Sequence, residues 1–160
     1  MKLKKWFGFI SLGLALVFLT ACGPKSAEDI IKTELKDSYT GYSEDSGGGY
    51  PFRAGDDTLT FDKKDNSITN SSGDMKYFLV IPEDEIPSGT QRVIDELEPH
   101  LKGTDNFTII VSRKKNPTIS DSEGAYQIAL SDGGKSIRIF YLGREPRSFG
   151  YYDFSGTAEE

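Results

Sequence analysis

The feature that most constrains this chain is its single cysteine. Cys22 is the only one in 160 residues, so no intramolecular disulfide can staple the fold. Stability must come from a hydrophobic core, which a chain of this length can bury.

The position of Cys22 constrains the chain a second time. Lys2, Lys4 and Lys5 crowd the first five positions, and an uncharged run from Trp6 to Thr20 follows them. A basic end and a short apolar core are the layout of a secretory signal. The run is shorter than the about 20 apolar residues that a stable spanning helix needs. It closes on Leu19-Thr20-Ala21-Cys22, with Gly23 after the cysteine. These four residues resemble the lipobox of bacterial lipoproteins. The resemblance covers residues 1–23 and implies cleavage between Ala21 and Cys22, with a diacylglyceryl group on the Cys22 sulfur. It implies a protein held by that lipid on the extracytoplasmic face of a membrane. With Gly23-Pro24 after the cysteine, the cytoplasmic membrane of a Gram-positive cell is the preferred reading, and the outer membrane the Gram-negative one. Two acyl chains suffice for stable anchoring, at ~0.8 kcal/mol per buried methylene.

Without residues 1–21, three lysines leave and the formal charge moves from −6 to −9. So acidic a domain argues against nucleic acid and against adhesion to anionic lipid. Residues 22–25 form a lipidated N-terminus and a short spacer in this reading. Ser26-Ala27-Glu28-Asp29 reads as a capping box. Ala27, Ile30, Ile31 and Leu35 recur at helical spacing, which predicts a helix over about 26–37.

Residues 38–57 show no periodicity. Gly41, Gly47, Gly48, Gly49 and Gly55 make them a flexible loop, carrying Tyr39, Tyr42, Tyr50 and Phe52 as contact residues or as caps folded back on the core. Strand patterns follow at 58–61, 67–69 and 75–81, the last apolar on both faces. Ser88-Gly89-Thr90-Gln91 reads as a second capping box, opening a helix with Val93, Ile94, Leu97 and Leu101 inside and ending near Pro99. Three more strands are expected at 106–113, 126–130 and 137–142, the last two joined by the hairpin turn Asp132-Gly133-Gly134. The order α-β-β-β-α-β-β-β predicts one α+β domain over 26–143, with two helices on one face of a mainly antiparallel sheet. A cystatin-like helix-on-sheet fold is compatible with it, as an analogy that carries no activity. Residues 144–160 read as a C-terminal tail.

The search for chemistry yields little. His100 is the lone histidine, and no serine occupies a Gly-x-Ser-x-Gly elbow. Asp95, Glu96 and Glu98 lie near His100 in sequence, yet Pro99 breaks the helical spacing a metal site would need, so no metal, cofactor or catalytic residue is predicted. The acid pairs Asp56-Asp57, Glu83-Asp84-Glu85 and Asp95-Glu96 would suit a hydrolase only if two carboxylates were held ~5–9 Å apart. Arg144, Arg147, Tyr151, Tyr152 and Phe154 combine the guanidinium and aromatic groups common in binding hot spots. The expectation is a non-catalytic, membrane-anchored domain binding a protein, peptide or envelope glycan. The alternative is a cell-envelope hydrolase using paired carboxylates.

Overall fold

A computed structural model describes residues 24–143 and 150–159. Cys22, its cleavage site and the preceding apolar run lie outside the described residues.

The chain forms a closed antiparallel barrel of eight strands, each paired with its neighbours in sequence, the last returning to the first. Helix α1 (Ala27–Thr33) precedes β1 (Ser38–Ser43), β2 (Gly55–Asp62), β3 (Ser67–Thr69) and β4 (Met75–Ile81). Helices α2 (Ser88–Glu96) and α3 (Glu98–Leu101) then lead to β5 (Asp105–Ser112), β6 (Ala125–Ser131), β7 (Ser136–Tyr141) and β8 (Asp153–Ala158). This overturns the expected α+β layer. The sheet has no open face for two helices to share, because it curls and closes on itself.

Closure depends on two strands that the apolar pattern does not mark. β1 lies in the expected flexible loop and β8 in the expected tail. They pair with each other through Tyr39↔Ala158, Gly41↔Gly156 and Tyr42↔Ser155. Gly41 and Gly156 face each other inward because the backbones approach closely here. A Cβ on Gly41 would meet the Ser155 carbonyl oxygen, and one on Gly156 would come within 2.7 Å of the Phe154 ring. Small residues let the sheet bend tightly at a closure seam, and the same residues erase the alternation from which a strand is read.

Eight strands leave an interior just wide enough for side chains to fill, or for one small ligand. Here alternate residues fill most of it: Leu59 and Phe61 from β2, Phe78 from β4, Ile109 and Val111 from β5, Ile128 from β6, Ile139 from β7 and Phe154 from β8 are all buried. Outside the barrel, Val93, Leu97 and Leu101 pack on Ala129, Phe140 and Leu142. So α2 and α3 cover part of the outer face of β6 and β7, where Ala129 and Phe140 are buried on the side away from the interior.

The helix ends differ in detail from expectation. Ser26 caps α1, its hydroxyl accepting from the Asp29 amide at 3.2 Å. The second predicted capping box does not form: Pro87 holds the cap position of α2, with no side-chain cap. Pro99 falls in the first turn of α3, where its missing N–H leaves no bond unmade.

Candidate functional site

The two ends of the barrel are closed by different chemistry. Around the lower end lie α1, the start of β1 and the turns β2–β3 and β6–β7. Ile30 and Leu35 enter the interior cluster there. The Tyr39 hydroxyl donates to the Gly134 carbonyl at 2.8 Å and accepts from the Lys36 amide at 2.9 Å. Lys25 bridges Glu34 at 2.7 Å and Asp105 at 3.3 Å, tying α1 to β5. That ion pair raises the Lys25 ammonium and lowers the Glu34 carboxyl.

Beside α1, a cleft of ≈ 530 Å³ opens between that helix, the end of β4 and α2. Its floor is polar and buried. Thr108 donates to Gln127 at 2.6 Å, and Gln127 donates to Asn106 at 2.8 Å. These bonds are made within the protein, across β5 and β6.

The upper end is polar inside. Asp57 follows the same inward phase as Leu59 and Phe61, and Lys76 that of Phe78; both are about 5% exposed. Burial alone would raise the Asp57 carboxyl. The Ser71 hydroxyl at 2.6 Å, the Ser71 and Thr58 amides and Arg53 outweigh it and hold Asp57 below the usual carboxylate range. Tyr126, Tyr141 and Tyr152 complete the wall, with Tyr126 and Tyr141 centroids 5.3 Å apart. Burial pushes the Tyr126 and Tyr152 hydroxyls up, and the charge of Asp57 adds to the effect at Tyr152.

The glycine-rich loop seals this end. Phe52 is inserted with its ring 4.2 Å from Tyr126 and 5.2 Å from Tyr152. Tyr126 donates to the Gly47 carbonyl at 2.6 Å, and Asn70 donates to the Pro51 carbonyl at 2.9 Å. The three glycines lie flat on three inward side chains. A Cβ at Gly47 would stand 2.8 Å from the Tyr152 ring, one at Gly48 2.9 Å from Tyr141, and one at Gly49 3.7 Å from the Lys76 Nζ. The tract is a fitted cover and explains itself by close approach.

Among the described residues, the exposed large hydrophobic side chains are Tyr42 (53%), Tyr50 (56%) and Met75 (41%). All three stand at the upper end: Tyr42 near the end of β1, Tyr50 in the covering loop and Met75 at the start of β4.

The residues singled out from sequence fare differently. Arg144 and Arg147 lie outside the described residues, with Ala21 and Cys22. Tyr152 and Phe154 are fully buried in the barrel, and Tyr151 packs half-buried against the α2–α3 cluster. The C-terminal aromatics therefore build the core instead of a surface. Asp56 and Asp57 are neighbours on a strand and face opposite sides, Asp56 exposed and Asp57 buried. His100 is exposed at the end of α3, its Nδ1 3.1 Å from Arg138, which pairs with Asp153 at 2.6 Å. Among the described residues no group of three or more His, Cys, Asp or Glu could hold a metal, and no helix is long and apolar enough to cross a membrane. Lys76 was missed, although its phase with Phe78 and Val80 marks it as inward on a two-residue period.

No known protein family, curated protein or solved structure matches this chain.

Proposed function

We propose that this chain is a lipid-anchored, extracytoplasmic binding domain whose upper end meets a protein, peptide or envelope glycan partner. Exposed Tyr42, Tyr50 and Met75, gathered at the end remote from α1, carry the reading. Tyrosine offers large, rigid, amphipathic contact area at low entropic cost, which is why it anchors interfaces. The anchor supplies the orientation. Three residues, Gly23 to Lys25, separate Cys22 from the Ser26 cap, a reach over four residue steps of at most about 14 Å. Lipid on Cys22 therefore holds the α1 end toward the membrane and turns the tyrosines outward.

Two experiments test the reading. Cys22→Ser should move the protein from the membrane fraction to the soluble extracytoplasmic fraction; retention in the membrane refutes the anchor. A photo-crosslinking residue at position 50, in intact cells, should trap a recurrent partner that the same probe at Lys102, toward the lower end, does not. Equal trapping at both positions rules out the upper end as the contact.

A further inference from the structure

Beneath the glycine cover, among the described residues, one buried donor lacks an acceptor and a second is held only by a long ion pair. Tyr152 is fully buried, and its hydroxyl has no hydrogen-bond partner. The Lys76 ammonium carries up to three donors. Its ion-pair partner is Glu123 at 3.7 Å, beyond hydrogen-bond length. Glu123 also pairs with Arg113 at 3.5 Å and accepts from the Arg113 amide. The buried acceptor nearby is already in use, since Asp57 takes bonds from Ser71, Thr58 and Arg53. A buried hydroxyl without an acceptor is costly, and native proteins keep few such groups.

The chamber also has a ring-shaped slot, and the chain fills it with its own side chain. Phe52 lies against both Tyr126 and Tyr152. Its amide donates to the Gly49 carbonyl at 3.2 Å, so ring slot and Lys76 sit under one tight turn. That turn is held by few bonds: Tyr126 to the Gly47 carbonyl, Asn70 to the Pro51 carbonyl, the Gly47 amide to the Phe52 carbonyl and the Phe52 amide to the Gly49 carbonyl.

We propose that the upper chamber is a binding site for a small aromatic carboxylate, and that Phe52 is a resident plug which the ligand's ring displaces. The ring takes the place of Phe52 between Tyr126 and Tyr152. The carboxylate accepts from the Tyr152 hydroxyl, which has no partner among the described residues, and from the Lys76 Nζ, which Glu123 reaches only at 3.7 Å. A charge-assisted bond to a buried ammonium is stronger than its equivalent in water. Because the site is competent only with the plug out, apparent affinity is scaled down by the open fraction. This site needs neither the lipid anchor nor a macromolecular partner.

The test is a calorimetric titration of the full chain in mild detergent with benzoate, benzyl alcohol and acetate. Benzoate should bind at least about tenfold more tightly than the neutral ring or the ringless anion, since each partner contributes a separate part of the free energy. Lys76→Met, close in volume to lysine, should remove the advantage of benzoate over benzyl alcohol. Phe52→Ala should tighten benzoate about tenfold or more by abolishing the competitor. Should Phe52→Ala unfold, Tyr152→Phe replaces it, and a weakening for benzoate but not benzyl alcohol is expected. Equal binding of benzoate and benzyl alcohol by the unmodified protein, or unchanged selectivity in Lys76→Met, overturns the proposal. Failure of the crosslinking experiment leaves these outcomes untouched, so the two readings fail separately.

Discussion

The lower and upper ends close the same barrel, one with a helix and apolar side chains, the other with a loop over charged ones. At the lower end Ile30 and Leu35 extend the core downward, and the Tyr39 hydroxyl is satisfied on both sides. At the upper end Phe52 sits among Asp57, Lys76 and Tyr152, and one hydroxyl is left without a partner. A domain needing only to be closed would gain from apolar residues at both ends, because buried polar groups stabilise little even when paired. On the proposed reading, the difference makes the lower end structural and the upper end the contact site.

The comparison can be broken by substitution. The largest effect is expected at the seam that both ends share. Gly41→Val drives a branched side chain into the Ser155 carbonyl and should abolish folding, seen as loss of a cooperative thermal transition. Next come the two closures. Leu35→Ala should cost ~3–4 kcal/mol in urea unfolding, because an apolar mouth leaves a dry cavity. Phe52→Ala should cost less, ~2 kcal/mol, since water can enter a chamber lined by Lys76 and Asp57. Equal costs would erase the distinction between the ends.

Asp57 gives the comparison a pH dependence. Its folded carboxyl is held below the unfolded value of about 3.9, so it stabilises the fold fully above that pH. The contribution fades as the pH falls through the folded value. Asp57→Asn should cost ~2 kcal/mol near neutrality and less below about pH 4, narrowing the gap between the two unfolding curves in acid. The smallest expected effect has the opposite sign. Tyr152→Phe removes a buried hydroxyl that has no partner and should leave stability unchanged or raise it by about 1 kcal/mol. A clear loss would show that the hydroxyl is bonded.

Six of the eight strands were legible, because β2 to β7 carry either alternation or runs apolar on both faces. The barrel was not. Open and closed sheets differ only in whether the first and last strands pair, and Gly41 and Gly156 meet across most of the chain. Nothing local encodes that pairing, and the small residues it requires made β1 read as a loop and β8 as a tail. The same cause hid where the C-terminal aromatics pack. Tyr152 and Phe154 looked like surface anchors while the strand that buries them went unseen. The aromatics of the glycine-rich loop, by contrast, do divide as the alternatives allowed: Phe52 folds back on the core, and Tyr42 and Tyr50 stay exposed. Asp57 and Lys76 could have been found from their phase with the inward apolar residues of β2 and β4.

Native-state hydrogen exchange compares the two closures most directly. The Gly47 and Phe52 amides bond the Phe52 and Gly49 carbonyls, and the Glu34 and Leu35 amides both bond the Ile30 carbonyl. A removable upper cover predicts that Gly47 and Phe52 exchange by local opening, at a free energy well below that of global unfolding, while Leu35 exchanges only with the whole domain. If all four amides exchange at the global free energy, both ends are equally structural and the upper end is no more than a second seal.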